Sequence, residues 1–339
     1  MQESFRILSD GSIECLICPH SCKIREGKSG ICKARKNTGG KIELITYGLI
    51  SGIALDPIEK KPLYHYFPGS GILSIGSWGC NMRCDFCQNY HISQDGPPGD
   101  LEPVTPEEVA AKAIGTPGNT GVAYTYNEPV IWYEFVMDVA ERIKTSGLKN
   151  IMVTNGFVSP GILDRFLEVT DAFNVDLKAF SNRFYRDFTG SDIEPVKEAL
   201  KKISKAGSHL EVTTLVITGR NDSVREMDEE ARWIKEELGD ETPLHLSRYF
   251  PMYKRHDPVT THEKLHELLD TARKHLKYVY SGNTLSAEGQ DTVCPDCGKT
   301  ITVRKAYEVV HVGTTDGNCS LCGRNIYGSF TFSSSSRSH

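Results

Sequence analysis

Two hydrophobic rhythms alternate along the chain. Short apolar runs, rich in Val, Ile, Leu and aromatics and bounded by Gly, Pro or Asn, lie at 72–78, 121–126, 150–154, 172–177, 209–217, 244–249 and 277–281. Runs of this length and punctuation predict β-strands. Between them the apolar spacing is helical. Ile131, Phe135, Val139 and Ile143 share one face of a predicted helix over 129–146. Thr105-Pro106-Glu107-Glu108 is a capping box with proline at the first helical position, opening a helix through Ile114. Ser159-Pro160 opens another through Leu167, and helices over 195–206, 224–238 and 262–276 complete six.

Seven strands with six intervening helices predict right-handed βαβ crossovers and a parallel sheet. Seven is short of the eight strands that close a full barrel. The predicted fold is therefore α/β, a partial (β/α)6 TIM-type barrel over residues 72–285. Sites on such sheets form at the carboxyl ends of the strands. Those ends carry Gly79-Cys80, Asn127-Glu128, Asn155, Asp176-Leu177-Lys178, Thr218 to Asp222, Tyr249 and Asn283.

The flanks follow neither rhythm. Residues 1–71 are turn-rich and read as a small N-terminal four-cysteine lobe and arm. Residues 290–330 read as a β-rich appendix, and 331–339 as a flexible polar tail. The composition, 39% hydrophobic and 24% charged over 339 residues, suits a globular chain. A net charge of −5 supplies no global basic field for nucleic acid, leaving only a local groove for such contacts. No apolar run reaches the roughly 18 residues of a membrane span. The start, Met1-Gln2-Glu3-Ser4, lacks an export pattern, so a cytoplasmic, reducing compartment is expected.

Cysteine changes this picture most. There are eleven, an odd number that makes a poor disulfide framework. They fall as four, three and four. Cys80-x3-Cys84-x2-Cys87 follows the first predicted strand directly. Three thiolates in one tight loop suit a [4Fe–4S] cube and leave its fourth iron open. Zinc completed by a residue such as His91 is the alternative. Cys294-x2-Cys297 and Cys319-x2-Cys322 are each followed by glycine. Two such turns clamp one tetrahedral ion, as in a zinc ribbon or a rubredoxin-like iron site, and thiolates alone do not choose the metal. A structural staple is the default role, with electron input as the alternative. Cys15, Cys18, Cys22 and Cys32 supply another set of four. Zinc is preferred there, a second iron–sulfur cluster is the alternative, and His20 is the nearest other ligand.

The C-x3-C-x2-C loop, with Phe86 before its last cysteine, resembles the signature of radical S-adenosylmethionine (SAM) enzymes. The run from Gly79 to Asn89 is similar to the branch that activates glycyl-radical enzymes. Cys15 to Cys22 (CLICPHSC), Glu26 to Gly30, Ile31-Cys32 and Leu63 to Pro68 narrow the likeness. Residues 15–285 thus resemble AmmeMemoRadiSam-type proteins, often labelled pyruvate formate-lyase activating enzyme-like. The resemblance implies a radical SAM oxidoreductase working anaerobically, with SAM on the open iron and an electron donor such as ferredoxin or flavodoxin. Reductive cleavage would yield methionine and a 5′-deoxyadenosyl radical that abstracts hydrogen. By the same resemblance Phe86 would lie near the adenine. Asn127 and Glu128 stand in Tyr126-Asn127-Glu128-Pro129, where many relatives have Gly-Gly-Glu-Pro, and would hold the SAM ammonium. Thr154 and Asn155 fit the ribose. Asp176 and Lys178 resemble an Asp-x-Lys motif that would meet the SAM carboxylate. Thr213, Thr214, Leu215, His245 and Asn283 are further candidates.

Plainer readings accompany these. Asp176 and Lys178 suit a solvated pair, Glu128 a helix N-terminus, and His245 a satisfied core histidine. The implied substrate is a glycine of a partner protein. The alternatives are a small molecule, RNA or another protein residue, with Memo-type and AMMECR-type proteins as partners by resemblance. A non-catalytic iron–sulfur or zinc scaffold is the non-enzyme alternative.

Overall fold

One eight-stranded sheet organises the chain, and its strands are neighbours in the order in which they occur. The computed structural model describes residues 4–331 apart from 98, 285 and 287. The tail from 332 onward lies outside the described residues. We number the strands β1 (Gly52–Pro57), β2 (Gly71–Gly76), β3 (Asn119–Tyr124), β4 (Lys149–Thr154), β5 (Ala172–Asp176), β6 (His209–Val216), β7 (Leu244–Arg248) and β8 (Val279–Gly282). From β2 to β8 every pairing is parallel. The parallel strands are those the apolar runs predict, shifted by up to two residues at their ends.

The crossover helices are α1 (Pro106–Gly115), α2 (Tyr133–Thr145), α3 (Pro160–Val169), α4 (Glu194–Ala206), α5 (Val224–Glu237) and α6 (His262–Ala272). They match the six predicted helices. β3 is buried along its whole length, as expected where helices cover the outer face of a parallel sheet, and its polar residues Asn119 and Thr120 are hydrogen-bonded to β2. The Thr105 capping box opens α1 as expected. The helix predicted from residue 129 begins instead as a 3-10 turn, Pro129–Trp132, capped by the Glu128 side chain, which accepts from the Val130 N–H. Among the described residues no helix is long and apolar enough to cross a membrane.

One strand departs from the sequence reading. β1, grouped there with the arm, pairs antiparallel with β2 at the edge of the barrel sheet. Its Ile53 and Leu55 face outward, 43% and 49% exposed. Half-exposed and ending in Asp56-Pro57, it lacks the run of buried residues that marks the central strands.

The two flanks are small antiparallel units. At the N-terminus Phe5–Ile7, Ile13–Cys15 and Lys23–Ile24 form one sheet, and Arg35–Thr38 pairs with Lys41–Leu44. At the C-terminus Thr292–Val293, Thr300–Lys305 and Glu308–Val312 form another. This last unit shares a buried cluster with the barrel through Tyr64, Tyr278, Tyr280, Cys294, Ile301 and Phe330. Arg304, fully buried, donates to the carbonyls of Tyr64 (2.5 Å) and Gln290 (3.0 Å). The appendix is thereby locked to the segment that links β1 to β2.

Candidate active site

A cavity of about 550 Å3 opens inside the sheet and gathers the carboxyl ends of the parallel strands. Cys80, Cys84 and Cys87 line it, on the loop that leaves β2. Gly79 starts this loop at φ +90°, and a Cβ there would stand 2.4 Å from the Cys32 carbonyl oxygen, so no other residue fits. Cys84 is buried and its two partners are partly exposed. Burial pushes the Cys84 thiol up to about 12, opposed by the Lys178 ammonium. The Cys80 sulfur faces two N–H donors, Met82 N at 3.4 Å and Asn155 Nδ2 at 3.7 Å. Thiolate charge at this loop would thus meet donors and a cation.

Of the twelve non-cysteine residues singled out as SAM contacts, eleven line this same cavity: Phe86, Asn127, Glu128, Thr154, Asn155, Asp176, Lys178, Thr213, Leu215, His245 and Asn283. Thr214 does not; its hydroxyl donates instead to the Leu177 carbonyl (2.9 Å) and to buried Glu230 (2.5 Å). His91, exposed on the short helix Tyr90–Ser93, does not line the cavity.

Glu128 is buried and works as a clamp. Its oxygens accept from Thr154 Oγ1 (2.6 Å), Val130 N (3.0 Å) and Asn155 N (2.8 Å). Burial raises its carboxyl to about 7, against those hydrogen bonds. It therefore joins the ends of β3 and β4 while capping the turn before α2. Asn127 ties the first loop down, accepting from Ser77 N and donating to the Gly79 carbonyl (3.0 Å). Lys178 Nζ meets Asp176 Oδ2 at 2.6 Å. Burial works against the Lys178 charge, but Asp176 and Cys84 outweigh it and keep the group cationic. The pair is mostly buried rather than solvated. Thr213 donates to Asn174 Oδ1 (3.0 Å), and Asn283, in a left-handed conformation, donates to the Arg248 carbonyl (2.8 Å).

Tyr126 takes the left-handed conformation that favours glycine, with φ +70°. Left-handed backbone costs a side chain about 1–2 kcal/mol. The ring is held in return: its hydroxyl donates to Asp56 (2.8 Å) and Lys61 Nζ lies 4.8 Å from its centroid.

Several cavity residues escape the sequence reading. Glu59, Lys60, Lys61 and Tyr64 come from the segment after β1, and Tyr307 from the C-terminal appendix. Lys61 is buried against Asp56 at 2.7 Å, and burial lowers its ammonium below the ordinary value. A Glu-Lys-Lys run reads as a solvated face unless Asp56 is known to return to it. Below the cavity Glu211 accepts from His245 Nε2 (2.7 Å), His209 Nε2 (2.9 Å) and the backbone N–H groups of Tyr64 and His65. Burial opposes its charge, yet the two histidines hold its carboxyl well below the usual range. His245 thus both lines the cavity and is satisfied within the core.

The C-terminal four cysteines form a tight set, with all ligand atoms within 4.8 Å. Cys294 and Cys322 sulfurs stand 3.6 Å apart, as do those of Cys297 and Cys319. Each turn closes through a glycine N–H, Gly298 to the Cys294 carbonyl and Gly323 to the Cys319 carbonyl. Backbone N–H groups of Cys322 and Leu321 lower the Cys319 thiol, while the neighbouring sulfurs raise those of Cys297 and Cys322. The four thus share their protons, and a first thiolate forms at Cys319. The set fits one tetrahedral ion. Cys15, Cys18, Cys22 and Cys32 surround a separate small cavity.

Residues 75–234 match the family described as the Radical SAM superfamily. An uncharacterized protein of Methanocaldococcus jannaschii is 38% identical over 325 residues, covering 94% of this chain and 96% of that one. Pyruvate formate-lyase 1-activating enzyme of Escherichia coli K12 is 28% identical over 159 residues, 45% of this chain and 65% of the enzyme. The match therefore spans a little under two thirds of that relative. Among solved structures, a radical SAM methyltransferase from Sphaerobacter thermophilus has a TM-score of 0.51 at 17% identity, covering 64% of this chain and 67% of its own. That likeness is one of fold.

Proposed function

Because the chain belongs to the radical SAM superfamily, we propose that Cys80, Cys84 and Cys87 hold a [4Fe–4S] cluster and that SAM binds beside it. The convergence of three thiols and ten polar or aromatic residues on one cavity carries this reading. The donor set fits: three sulfurs on one loop, N–H donors at Cys80, and a cation behind Cys84. When bound, the cluster and SAM supply one-electron carbon–sulfur cleavage and a 5′-deoxyadenosyl radical that abstracts hydrogen.

The chain's own residues orient and shield. Lys178, kept charged by Asp176, offers a cation to the SAM carboxylate. Glu128 has both oxygens engaged, so its part is to hold the Asn127 loop and the Thr154-Asn155 turn where the ammonium and ribose would lie. Phe86 supplies an apolar face for the adenine. The C-terminal cysteines hold one zinc or iron ion as a staple.

The substrate we infer is a glycine of a partner protein, by likeness to the activating enzyme. Ferredoxin or flavodoxin would supply the electron, and Memo-type or AMMECR-type proteins are partner candidates. One observation favours a small substrate instead: the cavity continues beyond the strand ends to Glu59, Lys61, Tyr64 and Tyr307. Protein reconstituted anaerobically with iron and sulfide, then given dithionite and SAM, should release 5′-deoxyadenosine. A stable electron-spin signal in the partner supports the glycine substrate, whereas repeated turnover without one supports the small molecule.

A further inference from the structure

The N-terminal four cysteines differ from the C-terminal four in spacing. A single tetrahedral ion sits about 2.3 Å from each thiolate, which puts the sulfurs roughly 3.8 Å apart and leaves no void between them. The C-terminal pairs, at 3.6 Å, meet that demand. Cys15, Cys18, Cys22 and Cys32 instead ring an enclosed cavity of about 10 Å3, room for about one water-sized centre. Among the described residues, no three of these sulfurs lie within 4.8 Å of one another. Wider spacing suits a centre whose inorganic sulfides fill the middle and whose irons each take one thiolate.

The walls agree. Ile17, Ile24 and Ile131 make much of the lining apolar, which suits a buried cluster poorly exposed to water. Arg35 is also in the lining and is 1% exposed. Glu134 takes its two terminal nitrogens at 2.6 Å each, but its Nε has no partner. A buried cationic donor without an acceptor is costly, and an anionic centre beside it supplies one.

The site also abuts the three-cysteine loop. Asn81, between Cys80 and Cys84, lines both cavities. His20 Nε2 lies 2.8 Å from the Asn81 carbonyl oxygen. The Cys32 carbonyl packs against Gly79. We propose that Cys15, Cys18, Cys22 and Cys32 hold an iron–sulfur cluster and that it relays electrons to the three-cysteine loop. In each transfer a reduced low-potential one-electron carrier is oxidised and this cluster reduced. The electron then moves on to the cluster at Cys80, Cys84 and Cys87, with no bond made or broken. The relay needs a cluster at that loop, whereas the N-terminal cluster does not, so the two fail separately.

The test starts from the full chain carrying Cys80→Ala, Cys84→Ala and Cys87→Ala, reconstituted anaerobically with iron and sulfide. The expected result is iron with acid-labile sulfide, lost when Cys18→Ala and Cys22→Ala are added. Absence of acid-labile sulfide, with no metal beyond the single zinc or iron of the C-terminal set, overturns the cluster. The first variant leaves the N-terminal cysteines intact and decides the matter even where the second misfolds. For the relay, the fully reduced wild type is compared with the first variant by electron-spin spectroscopy. A signal split or broadened by a neighbouring spin in the wild type is expected, and identical signals overturn the relay.

Discussion

The three-cysteine loop and the C-terminal tetrad use the same ligand chemistry to opposite ends. The tetrad is complete, its sulfurs in contact and its turns eased by glycine. The loop is one thiol short and faces a cavity of about 550 Å3. Strain gathers on the loop's side. Glu128 is a buried acid raised to about 7, and Tyr126 is a non-glycine residue at φ +70°. Unfavourable groups persist where surrounding contacts hold them, and they cluster at functional sites. A closed site therefore adds stability, and an open site spends some of it.

The largest expected effect falls on the closed site. Cys297→Ala with Cys322→Ala should release its ion and cost several kcal/mol locally. Limited proteolysis should cut within 290–331 while the barrel resists. Equal resistance of both regions would remove the staple role. Next is Arg304→Ala, which leaves Glu59 buried without its cation and should cost about 3–5 kcal/mol in urea unfolding. A loss under about 1 kcal/mol would mean that the appendix is not anchored through that pair.

Glu128 tests the strain. Its folded value is raised to about 7 from 4.5, so the protonated form is the stable one in the fold. Its contribution is fully present below 4.5 and is lost as pH rises through about 7. Glu128→Gln should therefore be more stable than the wild type at pH 8.5 by roughly 3 kcal/mol, and equal to it near pH 4.5. Thermal unfolding at the two pH values checks this, and a variant less stable at high pH would show that the clamp outweighs burial. The smallest effect is expected from Tyr126→Phe, which removes the hydroxyl and its bond to Asp56 while keeping the ring. It should cost about 1 kcal/mol. No loss would mean that ring packing alone holds the left-handed turn.

Much of this was legible because local signals agree with the fold. The apolar runs and the Pro- or Ser-marked helix starts gave the parallel strands and their crossovers. The thiol spacing gave the loop and the tetrad. What stayed hidden depends on distant partners. β1 is half-exposed and looks like an arm until β2 pairs with it. Lys61 reads as surface charge until Asp56 and Tyr126 bury it. Glu211, His209 and His245 make a network only once the strands align. The conformation of Tyr126 is invisible in a sequence where glycine would have announced it.

The central claim is that the incomplete cysteine set carries the chemistry and the complete one does not. Release of 5′-deoxyadenosine from SAM under dithionite tests it most directly, in anaerobically reconstituted wild type, Cys84→Ala and Cys322→Ala. The account predicts release by the wild type and Cys322→Ala, and none above background by Cys84→Ala. Equal release by Cys84→Ala and the wild type would contradict it.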